Sequence, residues 1–151
     1  MRILVVSDTH RKHDNLDIAI ERVMPDRIYH LGDGEGCEDY IEAVAECPLE
    51  IVRGNCDGCG SDYEDDMLVN IGGVSIFVTH GHRYGVKSGL DTLASAAAAK
   101  GAQVACFGHT HKPFCEYRDG VLLINPGTCT LRGACALLTI DQSGSFQAKL
   151  L

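Results

Sequence analysis

The segment Arg2-Ile3-Leu4-Val5-Val6-Ser7-Asp8-Thr9-His10 sets the pattern for the chain: an apolar run of strand length that ends abruptly in an acid and an imidazole. The pattern recurs. Ile28 to Leu31 runs into Gly32-Asp33, Ile51-Val52 into Gly54-Asn55, Val74 to Val78 into His80-Gly81-His82, and Val104 to Phe107 into Gly108-His109-Thr110-His111. Runs of this length, bounded by turn residues, read as buried strands. Helical patterns lie between the first three. Leu16, Ala19, Ile20 and Val23 form a stripe behind a candidate cap at Asp14, with Pro25 closing it, and Cys37, Tyr40, Ile41 and Val44 repeat at helical spacing up to Pro48. Strand-helix-strand units of this length pair in parallel through right-handed crossovers. Open α/β sheets carry their sites at the carboxyl ends of such strands. The polar clusters therefore converge on one edge.

Downstream, Met67 to Ile71 and Val74 to Thr79 form a hairpin across Gly72-Gly73. Ser88-Gly89-Leu90-Asp91 has capping-box spacing ahead of a helix from Leu93 to Lys100, which Gly101 ends. Four consecutive alanines, Ala96 to Ala99, favour helix and close packing on a sheet. After Phe107 the chain reads as short strands, Phe114 to Arg118, Val121 to Ile124, Cys135 to Ile140 and Phe146 to Leu150, with turns at Asp119-Gly120 and Ser143-Gly144. This all-strand tail predicts a second sheet packed on the first. No repeat, low-complexity run or linker interrupts residues 1–151, which read as one domain.

A chain of 151 residues can bury a core, and a 45% hydrophobic content is that of a globular protein. The net charge of -8 argues against a dedicated nucleic-acid or membrane-surface binder, either of which wants a basic face. An acidic chain still binds a phosphate ester where metal cations supply the positive field. No apolar stretch approaches the roughly 20 residues that span a bilayer, and Arg2 to Val6 is too short for a signal-peptide core, so the expected location is cytoplasmic. Eight cysteines then read as reduced thiols. Cys56-Asp57-Gly58-Cys59 is a Cys-x-x-Cys pair without the second pair a structural zinc site needs, and a redox role rests on a lowered thiol pKa. Cys106, Cys129 and Cys135 read as small buried hydrophobes.

Asp, His and Asn hold divalent metals through oxygen and imidazole nitrogen. Five of the seven histidines fall in the strand-end clusters; His30 reads as a core histidine and His13 as a solvated one. Asp8-x-His10, Gly32-Asp33, Gly54-Asn55, His80 and Gly108-His109-x-His111, in this order, resemble the calcineurin-like metallophosphoesterases. The small size and Asn125-Pro126-Gly127 resemble the compact prokaryotic phosphodiesterases of YfcE type, whose fold the retromer small subunit shares.

The resemblance implies a four-layer α/β/β/α sandwich and two divalent cations, manganese first, with iron, zinc, nickel or cobalt as alternatives. It implies Asp8, His10 and His111 on one cation, Asn55, His80 and His109 on the other, and Asp33 bridging them. His82 is the less certain neighbour of His80. Two cations about 3.5–4 Å apart share and acidify a water and stabilise both oxygens of an in-line displacement. The implied activity is hydrolysis of a small phosphodiester by a metal-bridging hydroxide, with Asn55, His80 and Asp33 as the catalytic set. The Asn55 amide can face a phosphate oxygen. Arg11 and Lys112 are the other candidate phosphate contacts; homo-oligomerisation is left open. Where many family members have Gly-Asn-His, whose imidazole is held to protonate the leaving group, this chain has Gly54-Asn55-Cys56, which favours substrates that need little such help. Asp57 is expected to orient Asn55 or a ligand imidazole. The alternative is a non-catalytic scaffold of the same fold, but every ligand position holds a competent residue.

Overall fold

The computed structural model describes residues 1–58, 61–130 and 134–151. Its elements are β1 (Arg2–Val6), α1 (Asp14–Val23), β2 (Arg27–His30), α2 (Glu38–Val44), β3 (Leu49–Ile51), β4 (Asp66–Ile71), β5 (Val74–Thr79), α3 (Asp91–Ala99), β6 (Val104–Cys106), β7 (Phe114–Arg118), β8 (Val121–Asn125), β9 (Ala136–Ile140) and β10 (Phe146–Leu150), with a 3-10 turn at His82–Tyr84. Two five-stranded mixed sheets result, ordered β10-β9-β1-β2-β3 and β4-β5-β6-β8-β7.

Period-two alternation assigns the layers. Ile3 and Val5 on β1 join Ile76 and Val78 on β5, Val104 and Cys106 on β6 and Ile124 on β8 in a core between the sheets. The other face of β1, Leu4 and Val6, packs on Leu16, Ala19 and Val23 of α1 and Ile41 of α2. On the far side, Phe77, Ala105 and Leu123 meet Leu93, Ala94 and Ala97 of α3. The small alanine side chains bring that helix close to its sheet. The order helix, sheet, sheet, helix is the expected four-layer sandwich.

The strand tail does not form a sheet of its own. The second sheet begins with the β4-β5 hairpin, and β7 and β8 extend it. Then β9 returns to pair antiparallel with β1 (Ile3 opposite Leu138), and β10 closes that edge. Both expected helix caps also differ. The N-caps are His13 and Leu90, neither making a side-chain cap bond. Asp14 and Asp91 instead occupy the first turns, where a carboxylate faces the positive end of the helix dipole. At the other end of α3, the Ala102 amide reaches Ala97 O at 3.0 Å and the Gly101 amide reaches Ala98 O at 2.9 Å, a Schellman closure.

Strands β1, β2 and β3 are parallel, as are β5, β6 and β8. The carboxyl ends of the two parallel sets meet at one edge of the sandwich, and the polar clusters emerge there.

Candidate metal centre

Each sheet supplies part of the centre. The loops after β1, β2 and β3 carry Asp8, His10, Asp33 and Asn55; those after β5 and β6 carry His80, His109 and His111. Five of these seven residues have left-handed backbone: Asp8 (φ 53°), His10 (45°), Asp33 (56°), His109 (66°) and His111 (58°). Asp, Asn and His are the non-glycine residues that enter this region most readily, at a cost of roughly 1–3 kcal/mol each. Such strain gathers where surrounding structure over-determines the backbone to aim side chains.

Two glycines allow the loops to touch. A Cβ on Gly54 would lie 2.1 Å from Asp33 Oδ1 and 2.4 Å from its amide nitrogen. A Cβ on Gly108 would lie 2.0 Å from Ser7 Oγ and 2.9 Å from Asp8 Oδ2.

Asp8 is fully buried. Its Oδ2 accepts from the Ser7 hydroxyl at 2.5 Å and the His109 amide at 3.2 Å. Its Oδ1 has no hydrogen-bond donor and faces His111 Nε2 at 3.0 Å. Asp8, His10 and His111 bring one ligand atom each within 4.8 Å of one another, as do Asp8, Asp33 and His80. His10 Nδ1 donates to Glu35 Oε1 at 2.9 Å, which leaves its Nε2 as the coordinating nitrogen.

His80, also fully buried, donates Nδ1–H to Leu31 O at 2.7 Å and so presents a bare Nε2. Around that nitrogen lie Asn55 Oδ1 at 3.1 Å, His109 Nδ1 at 3.2 Å and Asp33 Oδ2 at 3.4 Å. Asp33 Oδ1 is turned away and accepts from the Cys56 amide at 2.7 Å. Burial works to raise the Asp33 carboxyl, but the His80 imidazole and the Cys56 amide outweigh it and hold the group below the usual carboxylate range. Burial works to lower His80, and Asp33 and Asp8 raise it overall. Burial, then the charges of His80 and Lys87, push His109 down to about 4. An unsatisfied buried carboxylate oxygen beside imidazole and amide acceptors is a donor set suited to divalent cations. Asp8, His10 and His111 make one candidate metal-binding group and Asp8, Asp33 and His80 another, with Asn55 Oδ1 and His109 Nδ1 beside His80 Nε2.

All seven expected ligands come together. Glu35 and Ser7, which orient His10 and Asp8, were not anticipated; the acid two residues after Asp33 in Gly32-Asp33-Gly34-Glu35-Gly36 was the signal available. Asp57 corrects an expectation. Among the described residues its side chain hydrogen-bonds neither Asn55 nor an imidazole; its carboxylate accepts from the amides of Gly54 at 2.7 Å, Asp33 at 2.8 Å and Glu35 at 2.8 Å. Asn125 performs the same service opposite, donating to Gly108 O at 2.9 Å and Thr110 Oγ1 at 3.0 Å.

His30 lies beneath the centre as expected, linking Thr9 Oγ1 (3.0 Å from Nε2) to the Gly32 amide (3.2 Å from Nδ1). His13 is half-buried and stacks on Tyr40 at 4.1 Å, so it is not the solvated residue anticipated. His82 stands at the rim, its ring centroid 5.3 Å from that of His80. Arg11 is exposed and its Nε donates to Glu35 O at 3.0 Å; Lys112 is exposed beside His111. Cys56 is exposed, and burial of its sulfur and the Asp33 carboxylate push the thiol up to about 11. Cys106, Cys129 and Cys135 are buried and, like the other described cysteines, free. Cys59 lies outside the described residues. No helix among the described residues is long and apolar enough to cross a membrane.

Comparison with known proteins agrees with this geometry. The sequence profile of the calcineurin-like phosphoesterase superfamily domain matches residues 1–143. The probable metallophosphoesterase YsnB of Bacillus subtilis is 38% identical, over 96% of this chain and 88% of that protein. Phosphodiesterase MJ0936 of Methanocaldococcus jannaschii is 31% identical, over 92% of this chain and 87% of its own length. The crystal structure of a Vps29 single mutant (D62A) from Entamoeba histolytica superposes with a TM-score of 0.79 at 22% identity, covering 100% of this chain and 98% of that one, which extends the likeness in fold. The chain belongs to the calcineurin-like phosphoesterase superfamily of metal-dependent phosphoesterases.

Proposed function

We propose that the chain is a dinuclear metal-dependent phosphodiesterase acting on a small phosphodiester, with manganese the first choice of cation. The observation that carries this reading is the bare His80 Nε2 encircled by Asn55 Oδ1, His109 Nδ1 and Asp33 Oδ2, beside the donor-less Asp8 Oδ1. Two cations bound by these groups supply an acidified water and charge stabilisation for both the attacking and the leaving oxygen.

The chain's own residues do the rest. Asp33, with Oδ1 pinned by the Cys56 amide, presents Oδ2 to the centre in a fixed direction. Asn55 turns its carbonyl oxygen toward His80, and to its amide, with the exposed Arg11 and Lys112, falls the role of holding the phosphate oxygens. His80 is locked by Leu31 O and spends no reorganisation on coordination. Cys56 stands where many family members have a proton-donating histidine, and a thiol is a poorer general acid than an imidazole at neutral pH, which suits diesters with good leaving groups. The diesterase name of the M. jannaschii relative points the same way.

The test is elemental analysis of protein purified without chelator, joined to a metal screen on bis-aryl phosphodiesters. About two transition-metal ions per chain are expected, with both lost in Asp33→Ala. Absence of metal together with no turnover after manganese addition overturns the proposal and leaves a scaffold of the same fold.

A further inference from the structure

A second feature adjoins the centre. A cavity of about 590 Å³ opens beside the His109–His111 loop, within the range of small-molecule sites. Phe107, which immediately precedes Gly108-His109, and Leu90 and Phe114 give it apolar walls; the rings of Phe107 and Phe114 lie tilted at 59° with centroids 6.3 Å apart. The same cavity is lined by Lys87 and Lys112, both exposed. Among the described residues lining it none is acidic, although the chain carries a net charge of -8. Lys87 is close enough to bear electrostatically on His109. The cavity on the Cys56 side of the centre is acidic on balance, lined by Glu35, Glu38 and Asp57 against the single cation Arg11, with Tyr63 beside them. The two clefts thus differ in charge: among the described lining residues, cations stand without an acid only in the first.

We infer that the Lys87–Lys112 cavity is a subsite for one organic arm of the substrate, and that this arm is a flat apolar group, of aromatic-ring or nucleobase size, bearing a second negative charge. The inference rests on the phosphoesterase reading, because the phosphoryl group must sit at the adjoining metal centre. The cavity adjoins that centre directly, because Phe107, Thr110 and Lys112, which line it, flank His109 and His111 in the chain. An uncharged aliphatic arm leaves Lys87 without a partner. An arm with an anionic substituent gains a charge-assisted bond, and its ring is drawn from water onto Leu90 and Phe114.

Phosphonates test this without turnover, since their P–C bond is not hydrolysed. Methylphosphonate, phenylphosphonate and 4-carboxyphenylphosphonate are titrated calorimetrically into manganese-loaded protein. Expected affinities rise about tenfold from methyl to phenyl, and about tenfold again with the carboxylate. Lys87→Glu, on an exposed side chain with little call on the fold, should bring the carboxylate's advantage to about one or below. Phe114→Ala should shrink the phenyl-over-methyl ratio several-fold. Equal binding of all three probes, or ratios that Lys87→Glu leaves unchanged, overturns the subsite while the phosphoesterase reading stands. Failure of every phosphonate to bind the loaded protein overturns both.

Discussion

Removing the Asp57 carboxylate should unfasten the metal loops without touching a ligand. Three backbone amides, on Asp33, Glu35 and Gly54, point at its two oxygens at 2.7–2.8 Å, and the side chain is 9% exposed. A hydrogen bond to a charged group contributes roughly 1.5–3 kcal/mol, so three give a gross of about 4.5–9 kcal/mol. Water recovers part of this in the variant, because Cys56 and Gly58 beside the site are exposed. Asp57→Ala should therefore cost about 3–4 kcal/mol. Asp57→Asn keeps an oxygen for Asp33 and Gly54 but turns an NH2 toward the Glu35 amide, and should cost about 2 kcal/mol. Urea titrations of chelator-treated protein isolate this term from metal binding. In a parallel measurement, manganese affinity should fall in both variants, since Asp33 and the Gly54-Asn55 segment lose their common anchor. An Asp57→Ala protein within about 0.5 kcal/mol of wild type, with unchanged metal affinity, would refute the assignment.

Buried His30 should make the fold acid-sensitive. Burial pushes its pKa from 6.5 down to about 4, so between those values the unfolded chain binds a proton that the folded chain refuses. Its contribution is intact above pH 6.5 and is lost as pH falls toward 4, by about 3 kcal/mol in all; His30→Gln should flatten the stability–pH curve of metal-free protein across that window. Gly54→Ala should lower metal content as well as stability, because its Cβ would displace Asp33 itself, and elemental analysis reads the loss directly. Cys56→His should raise phosphomonoester turnover relative to diester turnover at matched metal occupancy, by an amount within the ~10²–10⁴-fold range of general-acid assistance; an unchanged ratio assigns the preference to the pocket walls.

The candidate centre was legible because its residues are chemically distinctive and each cluster follows an apolar run that reads as a strand. Its support was not. Glu35 and Asp57 look in sequence like solvated loop acids, and only the fold brings one to an imidazole and the other to three amides. Gly54 and Gly108 read as turn residues, whereas their requirement is contact with a neighbouring loop. The division of the tail between sheets was hidden for another reason. Strands such as β8 and β9 show the same apolar content whichever sheet they join, and the choice is made by long-range pairing, of β8 parallel with β6 and of β9 antiparallel with β1. The missing caps at His13 and Leu90 show packing of α1 and α3 overriding local preference.

Neither proposed cation site draws its ligands from a single sheet. Asp8 and His10 need His111, and Asp33 and Asn55 need His80 and His109, from across the seam. A molecule with one sheet assembled offers only part of each ligand set, so tight capture of metal waits until both sheets are docked. The ions would then work as rivets, closing the sandwich at the end where its strained loops are gathered. Chelation should release that end first, as faster amide exchange in residues 7–11 and 108–111, while the interior of each sheet stays protected.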